Sequence, residues 1–351
     1  MINKVYFLLL FFICAQIHAQ DTIKVNHDIG PDEQAELDYN VGVEAAKSGS
    51  YAAAGILFSR CLTVKPQFEK ALFNRSVAFY KIHQIDSALI DIDAAIKLNS
   101  QNAEYFYNRS LICKAKNDKT GQSDALDNCL KLNGTHADAA YYKGIQCFQE
   151  NDINRAIGFY SVALITKPNY VFALNDIGSC FRTKQLLDSA IYFYERAIKV
   201  DSGQSFIYNN LGSALFSKKA FEPALEAYNK ALKLDKNNYS ALLNRGALLV
   251  EMQKLNEAKR DFEEIIAEKP NNSFAYNNLA SIAIKNKDYK LAVELAGRAI
   301  ELDPNNGAAY YNRGIANQML KQEDASCADW KKAFQMGINV AKTAYYSSCS
   351  N

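Results

Sequence analysis

The sequence repeats itself every 34 residues. The clearest copy, Ser205 to Asn238, reads SFIYNNLGSALFSKKAFEPALEAYNKALKLDKNN. Tyr208, Leu211, Gly212 and Leu215 carry the i, i+3, i+4, i+7 stripe of one helix, and Ala224, Tyr228 and Ala231 carry that of a second. Such a helix–turn–helix unit cannot bury its apolar stripe alone, so neighbouring units must stack on it. Nine windows follow without insertion: 35–68, 69–102, 103–136, 137–170, 171–204, 205–238, 239–272, 273–306 and 307–340. The period therefore predicts an all-α solenoid.

Small residues recur where two helices must touch. Position 8 of the nine windows holds Gly42, Ser76, Ser110, Gly144, Gly178, Gly212, Gly246, Ala280 and Gly314. Glycine inside a helix costs roughly 1 kcal/mol against alanine, so its recurrence points to close helix approach. Alanine dominates positions 20 and 27, while position 24 alternates with it in size: Phe58, Tyr160, Tyr194, Tyr228, Phe262 and Trp330. Pro66, Pro168, Pro270 and Pro304 at position 32 stop the second helix.

In period and in these positions the chain resembles the tetratricopeptide repeat family from Ala35 to Val340. The resemblance implies a right-handed superhelical α-solenoid of nine repeats, first helices lining a concave groove and second helices forming the outer wall. Residues 341–351 are expected to form a capping helix. Cys327 and Cys349 lie equidistant from the turn at Gly337–Asn339, which allows a disulfide stapling that cap. The ending CADWKKAFQMG…C also resembles the last repeat of secreted bacterial chains of this family. The alternative is two independent thiols. The other five cysteines of the repeats read as small buried hydrophobes.

Residues 1–19 differ from all that follows. Lys4, the apolar run Val5–Cys14 and the small-residue end at Ala19 read as a cleaved signal peptide, followed by a polar linker over 20–34. The run is too short to span a bilayer. Location outside the cytoplasm follows as an expectation: periplasm, outer envelope or secreted, with no stable membrane insertion after cleavage. A net charge of +2 gives no argument for nucleic acid.

No catalytic constellation, metal-ligand spacing or phosphate loop stands out, so neither an enzyme nor a cofactor is expected. Only about 14 linker and 11 terminal residues lie outside the repeats, too few for a catalytic domain. Asp91 and Asp93 alternate on a helix and point apart.

In the family, positions 2, 5, 6, 9, 12 and 13 of the first helix face the groove. Position 6 is Asn in seven of nine repeats, among them Asn74, Asn108, Asn210, Asn244, Asn278 and Asn312. Asn is a poor helix former, and its amide both donates and accepts, which suits an extended peptide backbone. This looks like the asparagine ladder of peptide-binding members; the alternative is that Asn here marks only the fold. Position 5 places Tyr39, Phe73, Tyr107 and Tyr141 in the first four repeats. They read either as anchors for apolar partner side chains or as rings packed on the neighbouring first helix. The carboxylate clamp of the family is not expected: Lys70, Asn74 and Asn108 match it, but Asp138 and Tyr142 depart from it.

The expectation is a non-enzymatic scaffold binding a peptide segment or protein partner in its groove. The alternative is a self-associating structural component of an envelope assembly.

Overall fold

The computed structural model describes residues 30–349. The signal peptide, most of the linker and the last two residues of the expected cap lie outside the described residues. Those described form nineteen helices and no strand. Contacts divide the described residues into two compact units, one ending at Lys143 and the other starting at Gly144.

The first unit contains Pro31–Lys47, Tyr51–Val64, Glu69–Lys81, Ile85–Leu98, Ala103–Ala115 and Lys119–Leu132. Ala137–Gln149 follows. The second unit continues with Ile153–Thr166, Val171–Thr183, Leu187–Val200, Ser205–Ser217, Phe221–Leu234 and Tyr239–Glu251. It is completed by Leu255–Glu268, Ser273–Lys285, Tyr289–Leu302, Gly307–Met319, Glu323–Gln335 and Asn339–Ser348. Within each unit a first helix packs on its own second helix, and the second on the next first helix. Each unit is thus an α-solenoid of stacked helix hairpins.

Two helix starts differ from the sequence expectation. The linker was expected to run to residue 34, but the first helix starts at Pro31. Proline at the first turn loses no hydrogen bond, and Asp32 and Glu33 sit favourably at the positive end of the helix dipole. The last helix starts at Asn339 rather than at residue 341.

The small residues of position 8 have a common cause. A methyl group added at Gly42, Gly144, Gly178, Gly212, Gly246 or Gly314 would stand 2.5–2.7 Å from the ring at position 24 of the same repeat. Where position 24 is Ile92, Leu126 or Ala296, position 8 is Ser76, Ser110 or Ala280. A ring in the second helix therefore demands glycine in the first, and an aliphatic side chain does not. The rings of Phe58, Tyr160, Tyr194, Tyr228, Phe262 and Trp330 are buried, which makes this contact the centre of each hairpin.

Tyr194 and Tyr228 carry a hydroxyl into that centre. Ser179 and Ser213, at position 9, meet those hydroxyls at 3.1 and 3.2 Å. Each serine also donates to the carbonyl four residues back, Asn175 at 3.2 Å and Asn209 at 3.0 Å. A buried hydroxyl without a partner would cost about 1–3 kcal/mol. Burial raises both phenol pKa values, and the serine hydrogen bond opposes that rise.

Arginine at position 7 ties the hairpin differently. Arg75–Asp91, Arg245–Asp261 and Arg313–Asp329 are two-pronged pairs with contacts of 2.6–2.9 Å. Arg75 and Arg245 also reach the preceding repeat, at Ser59 and Asn229. Asp93, by contrast, pairs with Arg109 of the next repeat at 2.7 Å. Asp91 and Asp93 thus serve two different joints.

The turn inside each hairpin places position 15 in the left-handed region. Gly49 fits it freely, but His83, Asn117, Asn151, Gln185, Lys219, Gln253, Lys287 and Lys321 hold φ between 60° and 64°. Backbone bonds fix the conformation: the N–H of position 16 reaches the carbonyl of position 11, as Ala220 does to Leu215 at 2.9 Å.

At the C-terminal end Cys327 and Cys349 are joined by a disulfide, with Cα atoms 5.7 Å apart. Cys61, Cys113, Cys129, Cys147 and Cys180 are free and buried. Desolvation pushes the Cys129 and Cys180 thiols up to about 12, which keeps them protonated and inert.

Candidate peptide-binding face

A helix packed on both flanks keeps one stripe open. In the first helices that stripe runs through positions 2, 6, 9 and 13, spaced as successive turns of one face. The expected ladder residues Asn74, Asn108, Asn210, Asn244, Asn278 and Asn312 are all half-buried along it.

Their amide groups are already engaged, by a rule that depends on the preceding repeat. Asn210 donates to Asn175 at 2.9 Å, Asn244 to Asn209 at 3.0 Å and Asn312 to Asn277 at 2.9 Å. Each acceptor is the Asn at position 5 one repeat earlier. Asn74 finds Tyr39 there and donates to its hydroxyl at 3.1 Å. Asn108 and Asn278 find Phe73 and Leu243, which offer no acceptor. They turn back to carbonyls of their own helix, Glu104 at 2.9 Å and Phe274 at 3.0 Å. Position 6 thus clamps one repeat to the next wherever position 5 permits. What it can still offer a ligand is its carbonyl oxygen and the second amide hydrogen.

The position-5 rings likewise pack on other rings, within their own repeat or the next. Tyr39 lies 4.7 Å from the Phe68 ring, and Phe73 stacks on Tyr105 at 4.7 Å. Tyr107 contacts His136 at 4.8 Å and Tyr142 at 6.4 Å, and Tyr141 contacts Tyr142 at 5.8 Å. All four are half-buried rather than buried. Burial raises the Tyr39 phenol against the lowering hydrogen bond from Asn74.

Exposed aromatic residues of the first helices stand elsewhere, notably at position 2 of the second unit. Phe172 is 49% and Phe274 57% exposed, and Phe172 stacks on Phe206 with centroids 6.0 Å apart and planes 3° from parallel. Position 2 of the first unit holds Glu36, Lys70 and Glu104 instead. The open face of repeats 5–8 therefore has phenyl rings at one edge, with Asn210, Asn244 and Asn278 beside them. The sequence signal was present, three Phe at one repeat position, but aromatic contacts were sought at position 5.

Among the described residues no group of three or more His, Cys, Asp or Glu is placed to hold a metal ion. No described helix is long and apolar enough to cross a membrane.

Four tetratricopeptide repeat models match the sequence, over residues 205–238, 239–272, 273–306 and 295–328. No curated protein matches. Among solved structures, a tetratricopeptide repeat protein from Parabacteroides merdae is 17% identical with a TM-score of 0.59, covering 69% of this chain and 97% of that one. PilW, a type IV pilus biogenesis factor, is 14% identical with a TM-score of 0.51, covering 57% of this chain and 94% of its own. PilF of Pseudomonas aeruginosa is 12% identical with a TM-score of 0.51, covering 57% and 92%. These likenesses show the fold.

Proposed function

We propose that this chain, which belongs to the tetratricopeptide repeat family, is a non-catalytic interaction scaffold. It holds an extended segment of a protein partner along the open face of its first helices, outside the cytoplasm, in the periplasm or at the outer envelope. The observation that carries the reading is exposed Phe172, stacked on Phe206, and exposed Phe274 beside a row of half-engaged asparagines. Exposed rings supply apolar contact, and the free amide hydrogens and carbonyl oxygens of the asparagines satisfy a peptide backbone. The signal-like residues 1–19 and a disulfide at the far end support the compartment.

The binding test is selection from a random peptide library against the full mature chain. Enriched peptides should bind wild type and lose binding to the Phe172→Ser/Phe274→Ser double variant. Both positions are about half exposed, so that variant keeps its fold. Alanine at Asn210, Asn244, Asn278 and Asn312 would break three joints between repeats, so loss of binding there would not separate contact from packing. Failure to enrich any peptide, or binding indifferent to both Phe, refutes the reading. A reporter enzyme active only outside the cytoplasm, fused after residue 34, tests the location.

A further inference from the structure

The two ends of the repeat array lack the same neighbour, a second helix. Position 3 of the first helix is buried in every later repeat, from Ala71 to Ala309. In repeat 1 no described second helix precedes it, and Leu37 stands 42% exposed, with Val41 one turn on at 47%. A terminal repeat ordinarily turns a polar face outward; this one keeps two aliphatic side chains there.

The other end is the cap helix Asn339–Ser348. It starts two residues ahead of the repeat register, so buried Ala341 takes the place of position 3 and Tyr346 that of position 8. Position 8 is small in all nine repeats, where the repeat's own second helix lies against it. The cap helix has no second helix among the described residues, and its residue at that place is a tyrosine, 56% exposed. Lys342, one turn earlier on the same face, lies over the Phe334 ring at 5.6 Å. The disulfide to Cys327 ties this helix to the one before it.

The two open faces differ in charge. Asp32 and Glu33, about one turn ahead of Leu37, are exposed and enter no ion pair among the described residues. Beyond Asp329 the sequence holds Lys331, Lys332 and Lys342 and no Asp or Glu, and none of these lysines is ion-paired. Joining two N-terminal faces would bring carboxylates together, and joining two C-terminal faces would bring lysines together. Only opposite ends match in both charge and apolar surface.

We infer that the protein stacks head to tail on second copies of itself, the Leu37–Val41 stripe of one chain closing on the Lys342–Tyr346 face of the next. Glu33 and Asp32 then lie toward the lysines of the neighbouring chain. The cap helix is ten residues long, roughly 15 Å, so the contact belongs to the small, transient class and depends on concentration. It uses neither the groove nor its asparagines, and the peptide selection neither supports nor weakens it.

The test uses the full mature chain without reductant, so that the disulfide stays closed. In sedimentation equilibrium from about 10 μM to about 1 mM, the weight-average mass should rise past that of a dimer, because a heterologous contact leaves an open end at every step. Leu37→Ser/Val41→Ser blocks one end and Lys342→Glu/Tyr346→Ser the other. Each variant should remain a monomer alone. Mixed in equal amounts, they should form a dimer and nothing larger, since each brings one open end. Wild-type association should weaken about three- to tenfold at about 0.5 M salt. Circular dichroism and an intact disulfide control for folding of the variants. A wild-type chain that stays monomeric throughout, or stops at a dimer, overturns the inference. So does association of either variant alone, a mixture that stays monomeric, or indifference to salt. Assembly only in a chain starting at Gly30 overturns it too, since the preceding segment would then be what covers the first helix.

Discussion

Gly212→Ala separates steric demand from helix preference. On an isolated helix the change should stabilise by roughly 1 kcal/mol. In the hairpin the new methyl would lie 2.7, 2.8 and 3.0 Å from three carbons of the Tyr228 ring, where carbon pairs prefer about 3.5–4.0 Å. The ring is fully buried and its hydroxyl is held at 3.2 Å from Ser213, so it has little room to yield. Overpacking of this kind costs about 1–3 kcal/mol, which cancels or outweighs the helix gain. The expected net effect is a loss of up to about 2 kcal/mol. Gly297 is the control: nothing lies within 4 Å of a methyl there, so Gly297→Ala should stabilise by about 0.4–1 kcal/mol. In a Tyr228→Leu background Gly212→Ala should switch sign, since Ser110 tolerates Leu126 in the same geometry. Because long repeat arrays need not unfold in one step, the assay is amide exchange over Ser205–Ser217 and Phe221–Leu234, with urea midpoints alongside. If Gly212→Ala and Gly297→Ala stabilise alike, or the Tyr228→Leu background changes nothing, the steric argument fails.

Lys219→Gly, at φ 64° in a turn, should stabilise by a few tenths to about 1 kcal/mol, visible as a raised urea midpoint, because left-handed strain is removed at an entropic cost. Asp261→Ala should destabilise by roughly 2–4 kcal/mol in urea unfolding, leaving a largely buried Arg245 without its two-pronged partner. Tyr105 donates to Glu69 at 2.9 Å, and burial with that carboxylate pushes its phenol up to about 12. Below pH 10 both folded and unfolded chains keep this proton; between about 10 and 12 only the folded chain does, so stability should fall with rising pH in that window. Tyr105→Phe should flatten that part of the alkaline unfolding curve.

What the sequence reveals here depends on how far apart the interacting residues stand. The smallness of position 8 is visible by itself, and its cause lies 16 residues away inside the same repeat, at Tyr228 for Gly212. The identity of the position-6 asparagines is equally plain. Their direction is not, because it is set 35 residues upstream: Asn244 turns to Asn209, while Asn278 finds Leu243 and turns to its own helix. The turn at position 15 is almost silent, since Lys219, Gln253 and Lys287 have no preference for positive φ. Packing of the flanking helices imposes it at a cost small beside their burial. Half-burial of Tyr107 or Phe73 needs the neighbouring rings in place, so sequence reading left anchor and packing roles side by side.

The disulfide redirects mechanical load. Cys349 is joined to Cys327 across a separation of 22 residues. Tension applied beyond Cys349 enters the chain at Cys327, just past the first turn of Glu323–Gln335, and bypasses the covalent loop between them. That loop holds Trp330, the only tryptophan. Under oxidising conditions the pull therefore peels the first turn of that helix and the repeats before it, while the loop itself carries no load. Reduction returns the cap helix to the head of the line, where it would be the first segment to yield.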